Sequence, residues 1–249
     1  MPVSTSPARP VPADGRSRPG ASGWTRVLLG WWCWRRRALL LQLLGTVLVL
    51  GWVPGNGVKL AVMVVIWVIG FGGLSPVELA AAGLVNLLFV GMDEAALRQG
   101  IFQFRHPDAI GLPVYEFFMW GFFILHAINF LDGPQANPRR ILRSLGLATV
   151  FALCFPAITD PLLLAVAAGG VLAASLVILR EPADLAYTIY MAAVGALVEY
   201  VGVGTGQWSY PHAPAGGVPV WSFAMWGGVG LFSRRLLVPM LQRAVMRTD

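Results

Sequence analysis

Residues 93–121 read DEAALRQGIFQFRHPDAIGLPVYEFFMWG, and residues 199–227 read EYVGVGTGQWSYPHAPAGGVPVWSFAMWG. At an offset of 106 residues the two stretches align without a gap and are identical at ten of 29 positions. These are Gly100/Gly206, His106/His212, Ala109/Ala215, Gly111/Gly217, Pro113/Pro219, Val114/Val220, Phe117/Phe223, Met119/Met225, Trp120/Trp226 and Gly121/Gly227. Other positions keep their chemistry: Asp93 answers to Glu199, Phe102 to Trp208, Phe104 to Tyr210 and Tyr115 to Trp221. Upstream, Ser75-Pro76-Val77-Glu78-Leu79-Ala80 falls on Glu181-Pro182-Ala183-Asp184-Leu185-Ala186, and Arg37 on Arg143. Apolar composition raises chance identity, but it does not place His, Pro, Gly and acids in register. The chain therefore reads as an internal duplication.

Around these stretches the chain is apolar. Of 249 residues, 57% are hydrophobic and 12% charged, with a mean hydropathy of +0.68. An ordinary soluble domain carries about a quarter charged residues. Too few polar side chains exist to cover a water-soluble globule, and the apolar residues gather into runs. The runs predict helices near 38–54, 58–74, 76–92, 113–131, 140–158, 161–179, 182–202 and 218–238. The fold expected is all-α: a polytopic transmembrane bundle of seven to eight helices in two tandem repeats of about 106 residues. Four helices per repeat is an even number, so both repeats enter the membrane the same way round, about an axis along its normal.

The net charge of +6 would raise the question of nucleic acid in a soluble chain. Here the arginines stand at the ends of apolar runs and no basic–aromatic pattern for base stacking accompanies them. The charge marks topology and headgroup contact, and nucleic-acid binding is excluded. With the N-terminus in the cytoplasm, 15 of the 18 Lys and Arg residues fall on inside segments; only Lys59, Arg98 and Arg105 fall outside. Both termini are expected in the cytoplasm of a bacterial-type plasma (inner) membrane, with the loops 93–112 and 203–217 on the outer face. Residues 1–23 read as a disordered cytoplasmic tail without the apolar core of a signal peptide. The first repeat is 24–134, opened by an interfacial anchor, WTRVLLGWWCWRRR. The second is 135–240, and 241–249 is a cytoplasmic tail. Cys33 and Cys154 are expected at different depths and show no zinc spacing, so neither a disulfide nor a metal is expected.

The acids carry the candidate chemistry. Asp93 and Glu199 close the third helix of each repeat. An ionisable group near hydrocarbon is costly and often functional; a carboxylate that simply ends a helix at the interface is the plainer alternative. Glu116 follows Pro113 and faces Ser222 in the other repeat, so one half alone has a carboxylate there. A first-turn acid favoured by the helix dipole is the alternative for Glu116, and the reading assigned to Glu78 and Asp184. The aromatic set is Phe102, Phe104, Tyr115 and Trp120 with Trp208, Tyr210, Trp221 and Trp226. An interfacial belt explains the enrichment but not the repeated register. Aromatic faces also suit an apolar slot, or a carbocation held by cation–π attraction. His106 and His212, each 13 residues after its acid, are candidates for a proton relay; a loop histidine bonded to backbone, and a metal held with the two acids across the pseudo-axis, are the alternatives. Gly202, Gly204 and Gly206 lack the strand and lysine of a phosphate loop and are read as unwinding a helix end. His126, Asn129 and Asp132 are read as helix-end polar groups.

Glu199-x-x-Gly202-x-x-Thr205-Gly206, Trp208-x-Tyr210, Gly217-Val218-Pro219 and Trp226 together resemble the signature of integral-membrane carotenoid-biosynthesis proteins of the carotenoid hydratase type. Gly100-Ile101-Phe102-x-Phe104 and Leu112-Pro113-x-x-Glu116-Phe117-Phe118 are similar to the repeat unit of the small membrane lycopene cyclases. Those cyclases show paired acids after the proline; here the positions hold Tyr115-Glu116 and Trp221-Ser222. The resemblance implies acid-catalysed hydration or cyclisation of a polyene double bond through a carbocation, with no cofactor and an apolar isoprenoid or other lipid as substrate. It implies Glu199 as proton donor, Asp93 or Glu116 as base, and the aromatic set as cation stabiliser. Two other classes fit the residues: a proton- or ion-coupled transporter, and a non-catalytic lipid-binding or scaffold protein.

Overall fold

The computed structural model describes residues 23–132, 137–211, 213 and 217–245; of the expected tail 1–23 all but Gly23, which opens a helix, lies outside them, as does His212. The chain divides into a unit ending at Arg37 and a compact unit, Ala38–Asp249, which holds every residue of the site described below. The molecule is mostly helical, with α1 (Gly23–Trp52), α2 (Asn56–Phe71), α3 (Pro76–Arg98), α4 (Glu116–Leu131), α5 (Ile141–Ala157), α6 (Pro161–Leu179), α7 (Pro182–Gly204), α8 (Trp221–Leu236) and α9 (Val238–Val245). Two short strands, β1 (Gln103–Phe104) and β2 (Trp208–Ser209), interrupt the loops after α3 and α7.

Prolines set three of the helix starts. Pro76, Pro161 and Pro182 occupy first-turn positions, where a missing N–H costs nothing. Ser75 and Glu78 form a reciprocal capping box, and Asp160 accepts from Leu163 N at 2.7 Å. α3, α6 and α7 are long and apolar enough to cross a membrane, while α2, α4 and α5 are shorter apolar helices.

Several ends differ from expectation. The segment read as an anchor and a separate helix is one continuous helix, α1. α3 runs six residues past the expected 92: Ala95, Ala96 and Leu97 are strong helix formers, and Glu94 pairs with Arg98 one turn on. Asp93 therefore lies inside α3 rather than at its end. α7 likewise continues through Gly202 to Gly204, so those glycines do not unwind it. The run expected as one helix over 218–238 breaks at Leu237, because Pro239 cannot donate into the preceding turn. Residues 241–245, expected in a tail, continue α9.

The centre of the compact unit is an aromatic column. Trp120 of α4 stacks on Trp226 of α8 at 4.7 Å, and Phe89 of α3 stacks on Trp120 at 4.1 Å. Phe123 meets Trp226 edge-on at 5.3 Å. Gly195 on α7 makes room for Trp226, since a Cβ there would overlap the indole ring. The loops after α3 and α7 meet through the antiparallel pairing of β1 and β2. There Gln103 pairs with Ser209, the residue 106 positions later, and Phe104 with Trp208.

At the far end of α7 and α8 lies a buried ion cluster. Arg234 and Arg235 are each at most 2% exposed, and Asp184 is 1% exposed. Arg234 donates to Glu181 at 2.9 Å; Arg235 donates to Glu181 and to Asp184, each at 2.8 Å. Further bonds join Asp184 to both guanidinium groups. Two cations face two anions, so the buried charge is balanced. Burial by itself pushes the Glu181 carboxyl upward; the hydrogen bond from Arg234 and the charges of both arginines outweigh it and hold the group below the ordinary glutamate value.

Candidate functional site

Asp93, Glu116 and Glu199 come from three helices, and all three line one cavity of about 110 Å³. Glu116 and Glu199 are buried, while Asp93 is half-buried. The rest of the wall is apolar and aromatic. It includes seven of the eight aromatic residues expected from the sequence: Phe102, Phe104, Trp120, Trp208, Tyr210, Trp221 and Trp226.

The two halves treat their acids alike at one point and differently at another. Trp120 donates its indole N–H to Asp93 Oδ2 at 2.9 Å, and Trp226 donates to Glu199 Oε1 at 3.1 Å. These are the same bonds at an offset of 106 residues. Glu199 Oε2 accepts two more, from Trp208 Nε1 at 3.0 Å and from Tyr210 Oη at 2.8 Å. The counterparts of these donors are Phe102 and Phe104, which have no polar hydrogen to give. Glu199 is thus held by three donors and Asp93 by one. Among the described residues no hydrogen bond is made to the carboxyl of Glu116.

Local sequence explains the cage around Glu199. Trp208 lies across α7 at Gly202, where a Cβ would overlap its six-membered ring. The residue the sequence assigned to helix unwinding is instead the floor on which an indole rests. Gly206, at φ +70, then turns the chain back toward that face. Burial, followed by the adjacent charge of Glu199, pushes the Tyr210 phenol well above the ordinary tyrosine range. It therefore remains a donor throughout the accessible pH range.

Two expected site residues lie elsewhere. Tyr115 does not line the cavity: it is buried beneath Lys59, whose Nζ stands 5.3 Å from the ring centroid. Its counterpart Trp221 does line the cavity, and the position equivalent to Lys59 on α6 holds Ala165. His106 is exposed in the loop after α3 and contributes a backbone carbonyl to Asn56 at 2.6 Å, away from the acids. A relay through His106 has no support in this arrangement, and His212 lies outside the described residues.

Sequence reasoning missed Phe89, Met92, Met119, Phe123, Phe155 and Met225 in the wall. Helical spacing from the acids and tryptophans was the available signal: Phe89 precedes Asp93 by one turn, and Phe123 follows Trp120 by one turn. His126 was also misplaced. It is fully buried in the middle of α4 and bonds Tyr190 Oη at 2.6 Å, so it is a core group. Among the described residues no three His, Cys, Asp or Glu side chains have the spacing to hold a metal ion. No protein-family model, curated protein or solved structure matches the chain.

Proposed function

We propose that the protein is an integral-membrane enzyme of isoprenoid metabolism that protonates a polyene double bond and quenches the resulting carbocation. One observation carries the reading: three carboxyls contributed by both sequence halves surround a single small cavity whose walls are aromatic. Acid–base chemistry on an alkene needs a proton donor, a base and surroundings that tolerate a cation without trapping it. Trp120, Trp208, Trp221 and Trp226 present the side chain best suited to cation–π attraction.

The hydrogen bonds distribute the roles. Both Glu199 oxygens already accept from fixed donors, which suits a carboxylate that orients water or takes up a proton. Among the described residues Glu116 meets no donor, and it is the group placed to give its proton away. This reverses the assignment implied by resemblance, in which Glu199 donates. In the step, the Glu116 O–H bond breaks as a C–H bond forms on the alkene, leaving a tertiary cation. Water adds to the cation and yields its extra proton to Glu199 or Asp93, for net hydration. Alternatively a neighbouring alkene closes on the cation and a C–H proton is lost to the same base, for net isomerisation.

This reading takes the chain as a bundle of seven to eight spans in two parallel repeats, both termini cytoplasmic and the site near the outer face of a bacterial-type plasma membrane. The matched Trp120–Asp93 and Trp226–Glu199 bonds support the two repeats, as do the pairing of Gln103 with Ser209 and the positive φ shared by Gly100 and Gly206 and by Gly111 and Gly217. The test is expression in cells that accumulate acyclic carotenoids, with pigments analysed by mass spectrometry. A product heavier by one water, or an isomer, is expected, and Glu116→Gln is expected to abolish it. Unchanged pigment with the wild-type chain excludes these substrates, and full product from Glu116→Gln excludes the donor role.

A further inference from the structure

A second cavity of about 430 Å³ adjoins the acid-lined one. The two share Ile101, Leu164, Tyr210 and Trp221 in their walls, so they adjoin along one side. The second cavity is bounded by the start of the loop after α3, by Ile158 and Thr159 in the α5–α6 turn, and by Pro219 ahead of α8. The acid-lined cavity has room for only a few carbon atoms. An apolar chain whose reactive bond sits among the acids must continue somewhere, and this is the cavity that shares its wall.

The equivalent place on the other side is filled. At an offset of 106, Ile101 becomes Gln207, and Ala165, next to Leu164, becomes Lys59. Lys59 is buried, 3% exposed, and donates to Gln207 Oε1. Gln207 Nε2 also reaches Gly51 O on α1 at 3.3 Å. The end of α1 thereby packs on α7, with the Cβ position of Gly51 only 3.2 Å from Thr205 Cγ2. Asn56, at the start of α2, ties down the loop through Asp108 at 2.8 Å. Polar bonds join α1, α2 and both loops where the second side has Ile101 and Ala165, whose side chains have no polar atom to bond.

We propose that the acid-lined cavity is loaded from one side only, through the cavity bounded by Ile158, Thr159 and Pro219, which holds the continuing apolar chain of the substrate. Lys59 with Gln207 is the plug that closes the equivalent opening. The proposal rests on the reading of the site as one that takes a polyene, and it adds direction and specificity: side chains at the α5–α6 turn, not at the α1–α2 turn, select the chain.

The test uses the full-length chain with Cys33→Ser and Cys154→Ser, carrying one new thiol at Thr159→Cys in the mouth or at Val58→Cys. Val58 is exposed and occupies the position on α2 that Leu164 holds on α6. An acyclic C40 polyene in detergent is the probe. Quenching of tryptophan fluorescence reports that it binds, and maleimide labelling reports where. At polyene near ten times its dissociation constant, labelling of Thr159→Cys is expected to slow about tenfold, and labelling of Val58→Cys to stay unchanged. Prior labelling of Thr159→Cys is expected to abolish quenching, whereas prior labelling of Val58→Cys leaves it. Adding Lys59→Ala with Gln207→Ala is expected to make Val58→Cys protectable, with protection at Thr159→Cys in the same background showing that the fold survives. Quenching with equal protection at both thiols, or at neither, overturns one-sided loading. Val58→Cys unprotected in the folded double variant overturns the plug, and absence of quenching in the parent overturns the polyene reading itself.

Discussion

At the scale of single residues, the deciding contrast is between Glu199 with three donors and Asp93 with one. The difference comes from two substitutions between the halves, Phe102 for Trp208 and Phe104 for Tyr210, each preserving the ring and removing the polar hydrogen. A hydrogen bond to a charged group contributes roughly 1.5–3 kcal/mol. Trp208→Phe or Tyr210→Phe should therefore lower kcat about ten- to a hundredfold if Glu199 acts as the base. The matching change at Phe102 or Phe104, to Leu, removes no bond to an acid and should cost far less. Steady-state kinetics on the purified variants checks the difference, and equal losses in both halves would argue for a purely packing role. The same scale shows why Tyr115 fails to join its counterpart Trp221 at the cavity: one lysine on the neighbouring helix covers its ring.

At the scale of helices, the α7–α8 pair is fixed by Gly195 under Trp226 at one end and by the Glu181–Asp184–Arg234–Arg235 cluster at the other. Removing one member of a buried ion pair leaves an uncompensated charge, so Asp184→Ala should destabilise by about 3–5 kcal/mol. The folded value of Glu181 lies below its ordinary 4.5. Its contribution is therefore complete above the unfolded value and is lost as pH falls through the folded one. Thermal melts in detergent should show Tm falling below about pH 4.5 in the parent and a weaker dependence in Glu181→Gln. This cluster was not legible in the sequence: acids and arginines some 50 residues apart each read as ordinary helix-end charges. The acids and aromatics of the site were legible because they recur in register, and register survives where helix ends do not. The end of α3 was set by Ala95, Ala96, Leu97 and the Glu94–Arg98 turn beyond the apolar run, where hydropathy carries no signal. The asymmetry of the cavity mouth was present in the Lys59/Ala165 and Gln207/Ile101 differences, but only the packing of α1 on α7 gives those differences a meaning.

At the scale of the whole molecule, the proposed outward placement of the site makes a prediction about sidedness. With the site outward, a membrane-impermeant thiol reagent should label Arg105→Cys in intact cells and label Arg180→Cys only after permeabilisation. Labelling of both in intact cells would reverse or break the proposed topology. Trp120 and Trp226 belong to different halves of the chain, yet their rings stack at 4.7 Å and an angle of 28°. Two indoles that close and slightly rotated couple their electronic transitions and give circular dichroism a paired band of opposite signs. The wild-type spectrum minus that of Trp120→Phe or Trp226→Phe should isolate the same couplet in either case. Its collapse on heating would time the separation of the halves independently of helix melting, and its change on adding a polyene would register an occupant pressed against the ring pair.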